Sequence, residues 1–142
     1  MKKLLRMYAD GGSRGNPGPA AGAAVLYELN AKGEQGDRIA DAAKYIGIDT
    51  NNQAEYTGII VGLKKALELG ATDVDVRLDS ELAVKQLNGI YRVKNPELAK
   101  RFLDVHNLRV QFASVKFSHV YREQNTAADA LVNETLDAHR GK

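Results

Sequence analysis

The sequence predicts one α/β domain, residues 1–142, with a five-stranded mixed sheet flanked by helices. Two observations predict this class. Three strand-like segments come first and are joined by short connections, which is typical of a three-stranded antiparallel meander. A helical pattern then leads into a fourth strand-like segment, and a unit of this length implies a parallel, right-handed crossover. Two parallel strands therefore complete the sheet, and a chain of this length can bury a core of its own.

The first three strands are predicted at residues 2–9, 20–29 and about 37–48. The first strand is mostly apolar, as a central strand is, and it is predicted to end at Asp10. A glycine-rich segment, Gly11 to Gly18, follows and is expected to turn sharply. Its glycines are expected to adopt positive φ angles and to let a ligand approach the main chain closely.

The first helix is predicted to begin at Asn51 or Asn52, because Asn52 and Glu55 have the spacing of a capping box. Apolar residues then recur at helical spacing along one face. Gly58 and Gly62 lie four residues apart on one side, where we expect the helix to approach the sheet closely. Each of these glycines costs about 1 kcal/mol of helix propensity relative to alanine.

The second half of the chain continues to alternate between helices and strands. Gly70 is placed as the C-terminal cap of the first helix. The later elements are predicted as a strand at 72–78, a short helix at 81–87 capped by Asp79-Ser80, a helix from Pro96 to about Leu108, a strand at 115–120, a helix at 126–139 and a short tail at 140–142.

Composition narrows the chemistry that the chain can carry. It has no cysteine, which excludes disulfides, zinc–thiolate sites and a cysteine nucleophile, and its three histidines disfavour a histidine-based metal site. A site built from Asp and Glu oxygens would favour hard cations such as Mg²⁺ or Mn²⁺. The net charge of +2 permits a polyanionic partner. Because no segment is long and apolar enough for a signal or a membrane span, we expect a soluble, cytoplasmic protein. No obligate protein partner is evident in the sequence, so we also expect a monomer.

Four acidic residues are predicted to converge at one edge of the sheet. Asp10 ends the first strand and Asp79 the fourth, and parallel neighbours about 4.8 Å apart bring both carboxylates to the same carboxyl edge. Glu55 lies in the first turn of the first helix and Asp129 in the first turns of the last, and both helices must begin near that edge. Ligands bind at this edge in open α/β sheets.

Each acid also has a purely structural interpretation. Asp10 suits a turn, and Glu55 suits a capping box. Asp79 suits a helix cap, and Asp129 suits the first turn of a helix, where the dipole favours an acid. Convergence of all four by accident is much less expected. Four like charges need a counter-charge, which one or two divalent cations would supply. Two such ions, about 3.5–4 Å apart, would clamp both oxygens of an in-line phosphoryl displacement.

Four segments of the chain resemble ribonuclease H type 1. They are residues 8–20 (YADGGSRGNPGPA), 50–55 (TNNQAE), 79–80 (DS) and 119–131 (HVYREQNTAADAL). The resemblance covers nearly the whole chain and keeps the family's order of carboxylates, Asp, Glu, Asp, Asp. It implies a ribonuclease H-like fold and endonucleolytic cleavage of the RNA strand of RNA–DNA hybrids. The implied cofactor is Mg²⁺, two ions with substrate, or Mn²⁺, and the products would carry 5′-phosphate and 3′-hydroxyl ends.

The resemblance also implies roles for single residues. Asp10 would contact both metal ions, and Asp129 would complete the site of the ion at the attacking water. Glu55 and Asp79 would complete the site of the ion at the leaving oxygen. The implied contacts to the RNA strand are Ser13, Arg14, Asn16, Asn51, Glu55, Ser80 and Glu81, and those to a DNA phosphate are Asn16 and Thr50.

For Thr50, Asn51 and Ser80, capping and turn formation are equally good interpretations. The better-known bacterial members of the family carry a long basic, Trp-containing protrusion after the short helix. Here residues 87–96 run directly to the next helix and the chain has no Trp, as in the compact, archaeal-type branch. We therefore expect weaker hybrid affinity than in members with the protrusion.

Bacterial members place an auxiliary histidine in a mobile loop before the last acid. His119 precedes Asp129 by ten residues, but it falls in the predicted fifth strand, so Arg122 is the better-placed cation for that role.

Two other functions stay open on the same fold: a non-catalytic hybrid- or duplex-binding module, and another nuclease such as a resolvase or integrase core. Four acids facing phosphates give a pure binder no advantage, which argues against the module. A lack of cleavage with Mg²⁺ would indicate the module, and cleavage of DNA junctions would indicate the other nuclease.

Overall fold

The computed structural model describes residues 1–139, which form a five-stranded sheet with helices on both faces. The strands are β1 (Leu4–Ser13), β2 (Gly18–Leu29), β3 (Gln35–Asp49), β4 (Asp73–Leu78) and β5 (Ser114–His119). Their order across the sheet is β3-β2-β1-β4-β5. The first three pair antiparallel, whereas β4 lies parallel to β1 and β5 parallel to β4. The predicted meander with two parallel strands is confirmed, and the predicted tail at 140–142 lies outside the described residues.

Four helices cover the sheet. They are α1 (Asn51–Glu68), α2 (Glu81–Leu87), α3 (Pro96–Arg109) and α4 (Thr126–Ala138). The first three share one buried core, which includes Met7, Ile59 and Ala24. Val132 of α4 belongs to a smaller buried cluster with Ala23. Because neighbouring residues of a strand point to opposite faces, Ala23 and Ala24 place α4 on the face opposite α1. No helix within residues 1–139 is long and apolar enough to span a membrane.

The end of β1 differs from the prediction. The strand does not stop at Asp10 but continues to Ser13, because Asp10 to Ser13 pair with residues of β2. Asp10 therefore lies inside a strand rather than in a turn. Of the four glycines expected at positive φ, only Gly15 has it, at 106°. The turn between the two strands is accordingly shorter than the glycine content suggested.

α1 begins at Asn51, in agreement with the prediction, but its cap differs from the predicted one. Thr50 is its N-cap, and the Thr50 hydroxyl accepts a hydrogen bond from the backbone N–H of Gln53 at 3.2 Å. The predicted capping box of Asn52 and Glu55 is therefore wrong, because the cap lies two residues earlier. Glu55 is thereby left available for other contacts. The predicted end of this helix is confirmed by Gly70, which follows it with a φ of 79°.

Glycines let α1 lie directly on the centre of the sheet. A Cβ at Gly22 of β2 would overlap the backbone of Gly58 in α1, and a Cβ at Gly58 would overlap the carbonyl oxygen of Asp10. At Gly62 a Cβ would overlap the Met7 side chain. The predicted close approach of this helix is confirmed, and it occurs through main-chain contact on the β1 and β2 side.

The close approach predicts that Gly22→Ala is strongly destabilising. The added methyl group has only backbone to displace, so we expect a loss of at least about 3 kcal/mol in the free energy of unfolding. Gly36→Ala is the matched control in β3, because its Cβ would lie 3.6 Å from the Glu28 carbonyl oxygen, an ordinary contact. Its expected change is within about 1 kcal/mol. Urea denaturation measures both, and equal effects would contradict the proposed contact.

Candidate active site

The four predicted acids line one cleft of about 390 Å³ at the edge of the sheet. Asp10 projects from β1 just past Ala9, the last residue that pairs with β4, and Asp79 directly follows β4. Glu55 comes from the beginning of α1 and Asp129 from the first turn of α4. Four separate elements therefore bring four carboxyl groups to one place.

Gly11 explains why α1 delivers its acid to this position. A Cβ at Gly11 would overlap the backbone of Ala54, so helix and strand are in main-chain contact there. Glu55 follows Ala54 and Asp10 precedes Gly11, which sets the two carboxyl groups on either side of that contact. Gly11 therefore serves the approach of a helix rather than a positive φ angle.

Burial and like charges oppose ionisation of two of these acids. Burial, together with the nearby Asp79 and Asp129 carboxylates, raises the pKa of Asp10 to about 8, although the backbone N–H of Gly11 acts against it. The Asp129 side chain also stands within hydrogen-bonding reach of Asp10. Burial raises the pKa of Glu55 to about 6, with Asp79 adding to the rise and the Ser80 hydroxyl opposing it. The cleft therefore concentrates negative charge that its own residues do not balance.

The donor set fits hard divalent cations. Carboxylate oxygens dominate the cleft, and Mg²⁺ and Mn²⁺ prefer oxygen ligands. Within residues 1–139, no three Asp, Glu or His side chains are already grouped closely enough to enclose an ion. A cation held by the carboxylates of this cleft would take its remaining ligands from water and a substrate phosphate.

Hydrogen bonds link the turn after β1 to the start of α1, and they involve residues predicted to bind substrate. The Ser13 backbone N–H donates to Asn51 Oδ1 at 2.8 Å, and the Asn51 backbone N–H donates to Asn16 Oδ1 at 3.1 Å. The Ser13 hydroxyl lies within hydrogen-bonding distance of the carbonyl oxygens of Gly15, Gly18 and Asp49, the last at 2.8 Å, and it donates its single proton to one of them at a time. Ser13 and Asn51 line the cleft, whereas Asn16 lies behind them. Their oxygen atoms are thus used within the protein.

The cap residues have structural roles that the sequence analysis gave as alternatives. Thr50 caps α1, and the Ser80 hydroxyl accepts the backbone N–H of Ala83 at 3.2 Å as the cap of α2. Ser80 also lines the cleft beside Glu55, while Thr50 does not line it. Ser80 therefore both caps α2 and lines the cleft.

Besides Asn16 and Thr50, three more predicted residues lie outside the lining of the cleft. Arg14 forms an ion pair with Asp137 of α4 at 2.8 Å. Glu81 is exposed and forms an ion pair with Lys85 at 3.0 Å. The exposed His119 is the last residue of β5 and its ring meets Tyr121 edge to face, with centroids 5.7 Å apart.

Arg122, in contrast, lines the cleft together with the four acids. It begins a short 3₁₀ helix, Arg122–Gln124, that joins β5 to α4. The structure therefore places Arg122, rather than His119, beside the carboxylates.

No pattern in the sequence assigns a role to Asn125, although it lies within the segment 119–131. Asn125 is 1% exposed, and its side-chain amide donates to the carbonyl oxygen of Ala9 at 3.0 Å. The only signal in the sequence was a polar residue at the start of a predicted helix, which is typical of an ordinary cap. Its actual partner is 116 residues away in the chain.

Comparisons with known proteins agree with this geometry. Residues 9–135 match the model of a family described as reverse transcriptase-like. A bifunctional protein of Mycobacterium tuberculosis is 44% identical over 130 residues, which are 92% of this chain and 35% of that protein. The ribonuclease HI of Halobacterium salinarum is 42% identical over 133 residues, 94% of this chain and 64% of that protein. The chain thus spans about a third of the mycobacterial relative and just under two thirds of the archaeal one.

Solved structures resemble the whole fold. The N-terminal RNase H domain of the mycobacterial protein has a TM-score of 0.88 at 42% identity, with 96% of each chain covered. RNase H1 from Halobacterium salinarum has a TM-score of 0.86 at 40% identity, covering 95% of this chain and 98% of that one. LC11-RNase H1, solved in complex with an RNA/DNA hybrid, has a TM-score of 0.85 at 38% identity, with the same coverage.

The raised pKa of Asp10 predicts that Asp10→Asn stabilises the metal-free protein. Between pH of about 4 and about 8 the folded state holds a proton on Asp10 that the unfolded chain releases, so stability falls as the pH rises. Asparagine has no such dependence. We expect the variant to gain stability over wild type as the pH rises, reaching about 2 kcal/mol at pH 8.

Thermal unfolding in EDTA at pH 5 and pH 8 measures this gain. Asp104→Asn, an exposed acid on α3, is the control and should show no pH-dependent gain. Mg²⁺ should raise the Tm of wild type more than that of Asp10→Asn, because it relieves the same repulsion. An Asp10→Asn protein no more stable than wild type at pH 8 would show that neither burial nor the neighbouring carboxylates oppose the ionisation of Asp10.

Proposed function

The chain belongs to the type 1 ribonuclease H family, and we propose that it is a metal-dependent endonuclease that hydrolyses the RNA strand of RNA–DNA hybrids. The observation that carries the proposal is the single cleft lined by four carboxyl groups from four elements of the fold. A relative at 38% identity was solved with an RNA/DNA hybrid bound, which supports the hybrid as the substrate class. The connector between α2 and α3 spans only residues 88–95, which supports the compact branch of the family rather than the branch with a long basic protrusion.

The proposed cofactor is Mg²⁺, two ions with substrate bound, with Mn²⁺ as a substitute. The raised pKa of Asp10 supports this, because burial and neighbouring carboxylates leave a charge that a divalent cation would compensate. Bound in the cleft, the cations would lower the pKa of the attacking water and stabilise the charge that develops on the leaving 3′ oxygen.

Electrostatic coupling among the acids supports a division of roles. Asp10 lies on β1 between α1 and α4, which cover opposite faces of the sheet, and both Asp79 and Asp129 raise its pKa, so Asp10 is assigned to hold both ions. Asp79 raises the pKa of Glu55, so these two are assigned together to the ion at the leaving oxygen. Asp129, on the other side of Asp10, is assigned to the ion at the attacking water.

The reaction that this arrangement would support is in-line displacement at phosphorus. Water attacks the scissile phosphate of the RNA strand, the bond between phosphorus and the 3′ oxygen breaks, and a proton from solution completes the 3′-hydroxyl. The other product keeps the phosphate on its 5′ end. Arg122 is proposed to bind the phosphate during this step, because it is the cation that lines the cleft beside the acids.

Substrate contacts are proposed for the polar residues around the cleft. The side-chain oxygens of Asn16 and Asn51 accept backbone hydrogen bonds, so their amide groups, which donate to no residue within 1–139, are left for the nucleic acid. Ser13, Thr50 and Ser80 would add hydroxyl or backbone contacts at the same rim. Arg14 and Glu81 would reach the hybrid only by leaving Asp137 and Lys85.

A cleavage assay on a labelled RNA–DNA hybrid tests the proposed function. We expect wild type with Mg²⁺ to cut the RNA strand, and Asp10→Asn to lower kcat by at least about 10³-fold because a central ligand is lost. EDTA should abolish cleavage, and Asp104→Asn on α3 should stay within twofold of wild type. Wild-type protein that binds the hybrid but leaves it intact with both Mg²⁺ and Mn²⁺ would instead favour a binding module.

The lining of the cleft predicts that Arg122 matters more for turnover than His119. Arg122→Ala should lower kcat by about 10–100-fold, because a cation beside the phosphate is removed. His119→Ala should stay within about threefold, because the ring packs on Tyr121 outside the cleft. Single-turnover kinetics at saturating Mg²⁺ measure both. Full turnover in Arg122→Ala with a large loss in His119→Ala would reverse the assignment.

A further inference from the structure

Asn125 is a buried polar residue that neither helix capping nor the chemistry described above explains. It stands at the N-cap position of α4, four residues before Asp129. Asparagine at an N-cap usually accepts a hydrogen bond from the first turn of its helix. Here the side chain makes no such bond. Helix capping therefore does not account for a fully buried amide at this position.

The Asn125 side chain reaches back to β1 instead. Its Nδ2 group donates to the carbonyl oxygen of Ala9 at 3.0 Å. Ala9 is the last residue of β1 that pairs with β4, and Asp10 follows it directly. The amide thus joins the start of α4 to the point of β1 from which the Asp10 carboxyl group projects.

The backbone of Asn125 is hydrogen-bonded to the backbone of Asp129, the second acid of the pair. Its carbonyl oxygen accepts the backbone N–H of Asp129 at 3.1 Å. Asn125 therefore connects the strand of Asp10 to the helix turn of Asp129 through two hydrogen bonds. These two acids repel each other when both are ionised, and the connection opposes their separation.

The orientation of the amide is fixed by the same contact. Exchanging Oδ1 and Nδ2 would place two acceptors against each other at Ala9. Oδ1 is consequently left buried without a hydrogen-bond partner among residues 1–139. A buried acceptor without a donor is unfavourable for stability. Asn125 lowers stability through this unpaired oxygen and is hydrogen-bonded next to two acids of the cleft. This combination indicates a role in function.

We propose that Asn125 is a positioning residue whose amide sets the separation of Asp129 from Asp10 and thereby the affinity of the cleft for divalent cations. The inference rests on the proposed function, because it takes those two carboxyl groups as metal ligands. Asn125 acts through them and is not itself a ligand. Its loss should weaken metal binding and turnover while leaving contacts with the nucleic acid unchanged.

Asn125→Ser separates this role from helix capping. Serine is a favoured N-cap residue, but its side chain is too short to reach Ala9, so the variant keeps the helix start and loses the connection. We expect the dissociation constant for Mn²⁺, measured by calorimetry without substrate, to rise at least tenfold. Turnover of the hybrid should fall at least tenfold, and hybrid affinity in EDTA should stay within twofold. Asn125→Ala should give the same pattern, with weaker Mn²⁺ binding, lower turnover and hybrid affinity in EDTA within twofold of wild type.

Asn88 offers a matched control. Its Nδ2 group likewise donates to a strand carbonyl, that of Phe117 at 3.1 Å, at the end of α2 remote from the cleft. Asn88→Ser should lower the Tm but leave the Mn²⁺ dissociation constant and turnover within twofold of wild type.

Two results would overturn the proposal and assign Asn125 a structural role only: Mn²⁺ binding within twofold of wild type in both Asn125 variants, or failure of both to fold. Because Mn²⁺ binding is read without cleavage, it tests Asn125 even if wild type does not cut the hybrid. A lack of cleavage by wild type would overturn the proposed function alone.

Discussion

The cleft depends on main-chain contact between α1 and the two central strands. Gly11, Gly22 and Gly58 have no side chain, which lets this helix lie directly against the sheet. A Cβ at any of the three positions would overlap backbone atoms across the contact. The same contact brings Glu55 and Asp10 to one cleft and leaves both residues half-buried. Close packing of the backbone thus imposes the burial that raises the pKa of both acids, and the apolar core around α1 must supply the stability that offsets its cost.

Most of the fold could be predicted from the sequence, because its strands and helices have strong local patterns. β4 alternates buried and half-buried residues along its length, and α1 has an apolar face at helical spacing. One error lies where a distant partner decides the outcome: Asp10 stays in a strand because the residues after it pair with β2, which no local pattern contains. The other error is a choice between two local patterns, because Thr50 bonds to the nearby Gln53 and caps α1 although Asn52 and Glu55 have the spacing of a capping box.

The residues of the candidate site that could be predicted are those next to the ends of strands and helices. Asp79 follows β4 and Asp129 opens α4, so the topology alone brings them to one edge. Residues that act through tertiary contacts could not be assigned in this way. Arg14 pairs with Asp137 across the fold, and Asn125 binds a carbonyl group 116 residues away. Sequence spacing carries no information about such contacts without the structure.

The charge of the cleft also constrains how metal and nucleic acid would bind. The chain has a net charge of +2, yet four carboxyl groups line the place where a phosphate would have to enter. A hybrid brings further negative charge, so cations that neutralise the acids would also attract the phosphate. By linkage, each would then raise the affinity of the protein for the other by the same factor. A variant with altered carboxylate geometry would therefore bind hybrid normally in EDTA and more weakly than wild type once metal is present, which separates a positioning defect from the loss of a direct contact.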